Sequence, residues 1–434
     1  MSLPSYDDHD LLPVENGPSS PAYSAGLYDD EQTVPIEHLP LSQPLAVDAD
    51  SLWSTTHSHC YTGDMLNVSL GRRMWPGIQQ PAYGLQAVVQ GAIRLSSRCT
   101  HVNSLSVTLS GKVNITAAVR STASNMAKVK IVQETIVLPN PNRDRDGYYP
   151  TDHLYHFSVT FPDKCLQSDD PPPPTYCVMS AGLSCEVTYT LKIDIHRKGL
   201  RRHEEKRIAI QYLPKSWPVP VLYNDTILDG EARKTVLLRP VWPDNACPYE
   251  TAKATIPTVL VSIPAGSSVS SGHFFPLRVT ILSSDAPALA KLLANSVEVR
   301  LMKRTKACLH GQSARSRELI LSTASLLEVD TAREGTVIVH LTLPVGQAGK
   351  EQSWAVKNVL EAMYHVRISI RAPENAKAFL PVYAHDERVH IATEPWGTAE
   401  RELLSLGGAS APALGLLDAR LDGRADISNP RVFA

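Results

Sequence analysis

Apolar residues recur at every second position along most of the chain, and this period sets the first expectation. In CEVTYTLKIDIH, residues 185–196, Val187, Tyr189, Leu191, Ile193 and Ile195 are apolar, while Thr188, Thr190, Lys192, Asp194 and His196 are polar. Successive strand side chains point to opposite faces, so the segment reads as a strand with one face in a core and the other in water. The same alternation marks Leu105, Val107 and Leu109; Ile208, Ile210 and Tyr212; Val259, Val261 and Ile263; Leu277, Val279 and Ile281; and Val297, Val299 and Leu301. It returns at Val337, Val339, Leu341 and Leu343, and at Tyr364, Val366, Ile368 and Ile370. Many half-buried strands separated by Pro, Gly, Asn and Asp turns predict an all-β protein built of antiparallel sandwiches. Helical spacing is confined to 286–295, opened by Asp285, and to AVKNVLEA at 355–362.

The strands form two series. Each closes on a very regular strand after a long irregular loop: DDPPPPTYCVMSAG before CEVTYTLKIDI, and VGQAGKEQSWAVKNVLEA before MYHVRISIRA. The expectation is therefore two tandem antiparallel immunoglobulin-like β-sandwiches, at 55–215 and 248–394, joined by a connector at 216–247. The chain's 434 residues are enough for two such cores. No lysine or arginine precedes Arg72, and the first 50 residues carry ten acids and seven prolines. Such a segment buries too little apolar surface to offset its ordering entropy, so 1–54 is predicted to be a disordered acidic tail. Residues 395–434, rich in Ala, Gly and Leu without a strand period, are predicted to be a second flexible tail with short helical turns.

The 42 basic and 44 acidic residues leave a net charge of −2, which implies no general attraction to nucleic acid. The seven cysteines are scattered and never form a C-x-x-C pair, a pattern of reduced thiols in a cytoplasmic protein. No basic n-region with an apolar core opens the sequence, so the sequons at Asn67, Asn114 and Asn224 read as chance.

The sequence holds no G-x-S-x-G elbow, no phosphate-binding G-x-x-x-x-G-K-[ST] loop and no dinucleotide fingerprint. Neither catalysis nor a cofactor is expected. The most metal-like cluster is His57, His59 and Cys60, where alternate strand positions share a face; a metal-dependent β-sandwich enzyme would rest on it. A solvated entry into the first strand is the plainer reading. Two basic stretches have the chemistry to hold phosphate groups or anionic lipid at a membrane surface. One is a hairpin carrying Arg197, Lys198, Arg201 and Arg202; the other runs through Arg300, Lys303, Arg304, Lys306, Arg315 and Arg317.

The run from YHFSVTFP through PPPPTYCVMSAGLSCEVTYTLKIDIHRKGLRRHEEKRIAIQYLP resembles the end of an arrestin N-domain. There a strand ending in proline leads to a Pro-Pro-Ser/Thr-aromatic loop, a long alternating strand, a basic hairpin and a last strand closing on Tyr-Leu-Pro. VVQGAIRLSSRCTHVNSLSVTLSGKVNI is similar to the early strands of that family, and FFPLRVTILSS and YHVRISIRAPENAKAFLPVYAHDERVHIA fit its C-domain. The resemblance, most like fungal α-arrestins, implies a non-enzymatic adaptor. Such an adaptor links cytosolic tails of membrane proteins to a WW-domain HECT ubiquitin ligase and the endocytic machinery, including clathrin. It acts in the cytoplasm and is recruited to the plasma membrane or endosomes. A retromer-type arrestin-fold coat subunit is the alternative.

Pro173, Pro174, Thr175 and Tyr176 form a Pro-Pro-x-Tyr string, which WW domains grip when it is open and extended. The resemblance instead makes this a structural loop with Tyr176 as a core aromatic. Two tail motifs remain for recruitment: Leu3-Pro4-Ser5-Tyr6, a WW-like variant, and Leu11-Leu12-Pro13-Val14-Glu15, which looks like a clathrin box. Leu326-Leu327-Glu328-Val329-Asp330 fits the same box, but its alternation places it in the sandwich.

Overall fold

A computed structural model describes residues 58–119, 123–141, 148–151, 153–180, 182–199, 203–218, 233–242, 256–266, 268–309, 312–373, 376, 380–395, 398 and 411–417. All fall in one compact unit, Val47–Ala434. The chain is all-β in character, and its sheets are antiparallel apart from two short parallel pairings.

The first set of strands makes two sheets. One has the order β1 (Ser58–Tyr61), β2 (Leu66–Arg72), β4 (Val88–Leu95), β7 (Leu154–Thr160). The other runs β3 (Ala82–Tyr83), β10 (Glu204–Tyr212), β9 (Leu183–Arg197), β5 (Val102–Val119), β6 (Ala123–Val137). Strand β8 (Tyr176–Ser180) pairs with the start of β9, and β10 pairs with its end. Buried and half-buried positions alternate along β9 as the sequence period requires.

The second set repeats the plan. One sheet runs β11 (Arg233–Leu238), β13 (Thr258–Pro264), β15 (Phe274–Leu282), β19 (Thr336–Pro344), β18 (Ser325–Asp330). The other runs β12 (Pro240–Val241), β22 (Val382–Ala392), β21 (Leu360–Ile370), β16 (Val297–Leu309), β17 (Gln312–Thr323), with β14 (Ser268–Ser270) on β22 and β20 (Trp354–Val356) on β21. One apolar core joins the inner faces of this second pair of sheets. The other joins the first pair and continues into Ala307, Leu309, Trp354, Val356, Leu360 and Ala362 of the second set.

Four expectations change. Residues 216–247 are not connector throughout: Arg233–Leu238 pairs with β13 and Pro240–Val241 with β22, so the second set begins there. Residues 355–362 form a β-hairpin, not a helix. Asn358 takes the left-handed turn at φ 61°, Val359 N–H donates to Val356 O, and Val356 and Leu360 are both buried on the two arms. Helix α1 (Pro287–Ala294) opens with Pro287 in its first turn after Ala286, with no side-chain cap from Asp285, and buries Ala290 and Leu293. Finally, residues 411–417 of the expected tail are docked on the body: Ala413 and Leu416 are buried, and Ala413 N–H donates to Leu213 O at 2.9 Å.

Candidate functional site

The Pro-rich loop that opened two readings lies where the two sets of strands meet. Pro172, Pro173, Pro174 and Thr175 are buried and Tyr176 is half-buried. An aromatic cluster beneath them explains why the loop stays closed. Tyr189 donates its hydroxyl to Pro173 O at 2.6 Å, and Phe161 stacks on Tyr212 with centroids 4.2 Å apart. Thr175 locks onto Tyr212 twice: its N–H donates to Tyr212 O at 2.7 Å, and its Oγ1 accepts from Tyr212 N–H at 2.8 Å. Gly111 in β5 leaves the space that Tyr189 needs, since a Cβ there would stand 2.6 Å from the ring.

From that anchored loop Tyr176 reaches the second set. Its ring meets Trp354 of β20 edge-on at 5.1 Å, and its hydroxyl lies 2.9 Å from Thr305 Oγ1 of β16. Asp170, earlier in the loop, accepts from Lys357 N–H at 2.7 Å, and Arg317 donates to Met179 O at 3.3 Å. The junction therefore combines an apolar core with specific polar ties.

A nearly enclosed ion pair sits beside Tyr176. Lys303 Nζ donates to Glu351 Oε2 at 2.7 Å, with side chains only 14% and 11% exposed. Tyr364 donates to the same oxygen at 2.6 Å. The ammonium also lies 5.7 Å from the Tyr176 ring centroid and 5.6 Å from that of Tyr364. Desolvation pulls the lysine down, but Tyr364, Glu351 and Tyr176 outweigh it and hold the ammonium well above its ordinary range. Burial likewise raises the Tyr364 hydroxyl, so both groups keep their protons at neutral pH. An ion pair so placed gives little net stability against an apolar substitute, but it is costly to break from one side.

The other expected residues fall as follows. Leu3, Pro4, Ser5, Tyr6, Leu11, Leu12, Pro13, Val14 and Glu15 lie outside the described residues, as do Arg201 and Arg202. Lys198 is exposed on the β9–β10 hairpin. Arg197 departs from the headgroup-facing set: its side chain is 10% exposed and lies 3.9 Å from Glu204. Three cations of the second basic stretch are paired as well. Arg300 pairs with Glu298, Lys306 with Glu361 at 3.3 Å, and Arg304 with Glu318 at 2.6 Å. Arg367 ties Glu318 to Asp386, at 2.9 and 2.8 Å, which extends that pairing into a lattice across β17, β21 and β22.

His57 lies outside the described residues. His59 is buried and its imidazole is held below its usual range by that burial and by Arg73, while Cys60 lies 3.8 Å from Ser69 Oγ. Among the described residues no three His, Cys, Asp or Glu side chains converge as a metal-holding group, and no helix is long and apolar enough to cross a membrane. The segment 326–330 belongs to a paired strand of the second set, β18, as its alternation predicts. It is the outermost strand of its sheet, with Leu326 59%, Leu327 65% and Val329 44% exposed. A bulge between Leu326 and Glu328 disturbs its pairing with β19.

Glu351, Thr305 and Trp354 are junction residues that motif reading overlooked, and Lys303 entered it only as one cation of a basic run. The period did carry a signal: Val299, Leu301, Lys303, Thr305 and Ala307 occupy alternate positions of one strand, so Lys303 belongs to the inward face. No protein-family model matches the chain, and no curated protein matches it either.

Proposed function

We propose that the chain is an arrestin-like adaptor of two tandem β-sandwiches. It carries no catalytic centre and joins cytosolic tails of membrane proteins to a WW-domain ubiquitin ligase and clathrin. The observation that carries this reading is the junction. Two similarly built pairs of sheets are fixed to each other through a Pro-Pro-Thr-Tyr loop whose prolines are buried. A WW domain needs an exposed, extended ligand, so ligase recruitment falls to Leu3-Pro4-Ser5-Tyr6 and clathrin to Leu11-Leu12-Pro13-Val14-Glu15. The outer strands β17 and β18, with Leu319, Ile320, Leu326, Leu327 and Val329 exposed, are the edge we assign to an extended cargo tail.

The test is affinity purification from cells of the full chain and of a chain lacking residues 1–50. Ligase and clathrin are expected with the full chain alone, and membrane cargo with both. Identical stoichiometric partners for both chains would overturn the adaptor reading and favour a permanent coat subunit.

A further inference from the structure

Residues 411–417, Ala-Pro-Ala-Leu-Gly-Leu-Leu, occupy a seat whose walls come from both sets of strands. Ala413 and Leu416 are buried in a small cluster with Leu213, against which Ala82, Leu414 and Leu417 also pack. Ala413 N–H donates to Leu213 O at 2.9 Å, and the segment closes on itself through Leu416 N–H to Ala413 O at 3.1 Å. At its centre two backbones touch without intervening side chains: a Cβ on Gly415 would stand 2.7 Å from the carbonyl oxygen of Gly349. Gly349 itself has φ 71°, so the seat is set by a left-handed turn that a side chain would strain. Leu416 also lines one side of a small recess that it shares with Thr175, Tyr176, Lys303, Gln352 and Trp354. Gln352 is 8% exposed, and its buried Oε1 has no hydrogen-bond partner.

We propose that this seat is an exchangeable peptide-docking site, with the chain's own segment as its resident occupant. A partner segment offering a small residue, then glycine, then leucine at the spacing of Ala413, Gly415 and Leu416 would compete for it. Three features select that chemistry. The Leu213 carbonyl takes a backbone N–H, the Gly349 backbone admits only glycine opposite, and one aliphatic side chain, that of Leu416, is buried against Leu213 and Ala413. The occupant is held by a short stretch of apolar contact and backbone pairing rather than by a continuous strand of a sheet, which suits displacement. Because Leu416 lines the same recess as Tyr176 and Trp354, the seat borders the junction between the two sets of strands.

The experiment uses the full chain and a fluorescent peptide of residues 409–419. Two full-length variants, Gly415→Val and Leu416→Asp, are designed to unseat the resident segment, and each is checked for a cooperative melt. The unseated variants should bind the wild-type peptide at least tenfold more tightly than the wild-type chain, whose seat is filled. A peptide carrying Gly415→Val should lose that binding. Absence of binding to both folded variants, or equal binding by the wild-type chain and the variants, overturns the proposal. Dimerisation of the wild-type chain, abolished by Leu416→Asp and competed by the free peptide, would support it with a second copy as the source of the segment. Failure here leaves the adaptor reading, tested by affinity purification, untouched.

Discussion

The hydroxyl of Tyr176 and the hydroxyl of Thr305 lie 2.9 Å apart although 129 residues separate them in the chain. This contact ties the Pro-rich loop of the first strand set to β16 of the second, in a site where Thr305 is buried. Tyr176→Phe keeps the ring against Trp354 and removes only the bond, so it should cost about 1 kcal/mol. Tyr176→Ala also empties a half-buried aromatic site and should cost roughly 2–4 kcal/mol. Urea unfolding of both variants and of Thr305→Val measures the two effects. Additive losses for Tyr176→Phe and Thr305→Val would show that the hydroxyls do not interact.

The Lys303–Glu351 pair should behave asymmetrically. Lys303→Met or Glu351→Leu alone leaves one nearly buried charge without its partner, at a cost of about 3–5 kcal/mol. The double variant Lys303→Met/Glu351→Leu should recover most of that loss, although Tyr364 then lacks its acceptor. Chemical denaturation of the four-member cycle supplies the coupling. A double variant as unstable as the sum of the singles would contradict a desolvated pair.

How far the sequence reaches is clear from three segments. The alternation of β9 was readable residue by residue because every second side chain enters one core, and the long loops before β9 and β21 precede corresponding strands of two similarly ordered sets of sheets. The same period placed Leu326-Leu327-Glu328-Val329-Asp330 in a strand but left its exposure unread, since alternation records pleat and cannot tell a central strand from an outermost one. AVKNVLEA read as a helix because its apolar residues suit either period over eight positions; the left-handed Asn358 decided for the hairpin. Lys303 was grouped with surface cations because a basic run invites a solvated reading. Its partner, Glu351, lies 48 residues away, in a loop that only the fold brings near.

Acid should weaken the lattice around Arg367 in a defined direction. Hydrogen bonds from Arg367 hold the Asp386 and Glu318 carboxylates below their ordinary range. The folded chain thus keeps them ionised to lower pH than the unfolded chain does. Their contribution is complete above about pH 5 and disappears as the pH falls through the lowered folded values. The side chains are about a third exposed, with Asp386 at 38%, so the network contributes about 1 kcal/mol or less. Thermal melts of wild type and Arg367→Gln should differ most near neutrality and converge as acid protonates these carboxylates. A gap that is constant with pH would remove these carboxylates from the account.

The closed state of the Pro-Pro-Thr-Tyr loop depends on Thr175 more than on the prolines. Thr175 Oγ1 accepts the Tyr212 N–H, and the Thr175 N–H satisfies the Tyr212 carbonyl; both residues are buried. Thr175→Val preserves shape but strands the Tyr212 N–H, which should cost about 1–3 kcal/mol. Gly111→Ala attacks the same anchor from below by pushing the Tyr189 ring from its place, and with it the hydroxyl that holds Pro173 O. Both variants should therefore raise hydrogen exchange at residues 175–180 well before β9 is affected, and should increase binding of an isolated WW domain to the full chain. Unchanged exchange in 175–180 with a normal melting temperature would mean that the loop is held closed by its prolines and by the Trp354 contact, without help from the aromatic cluster.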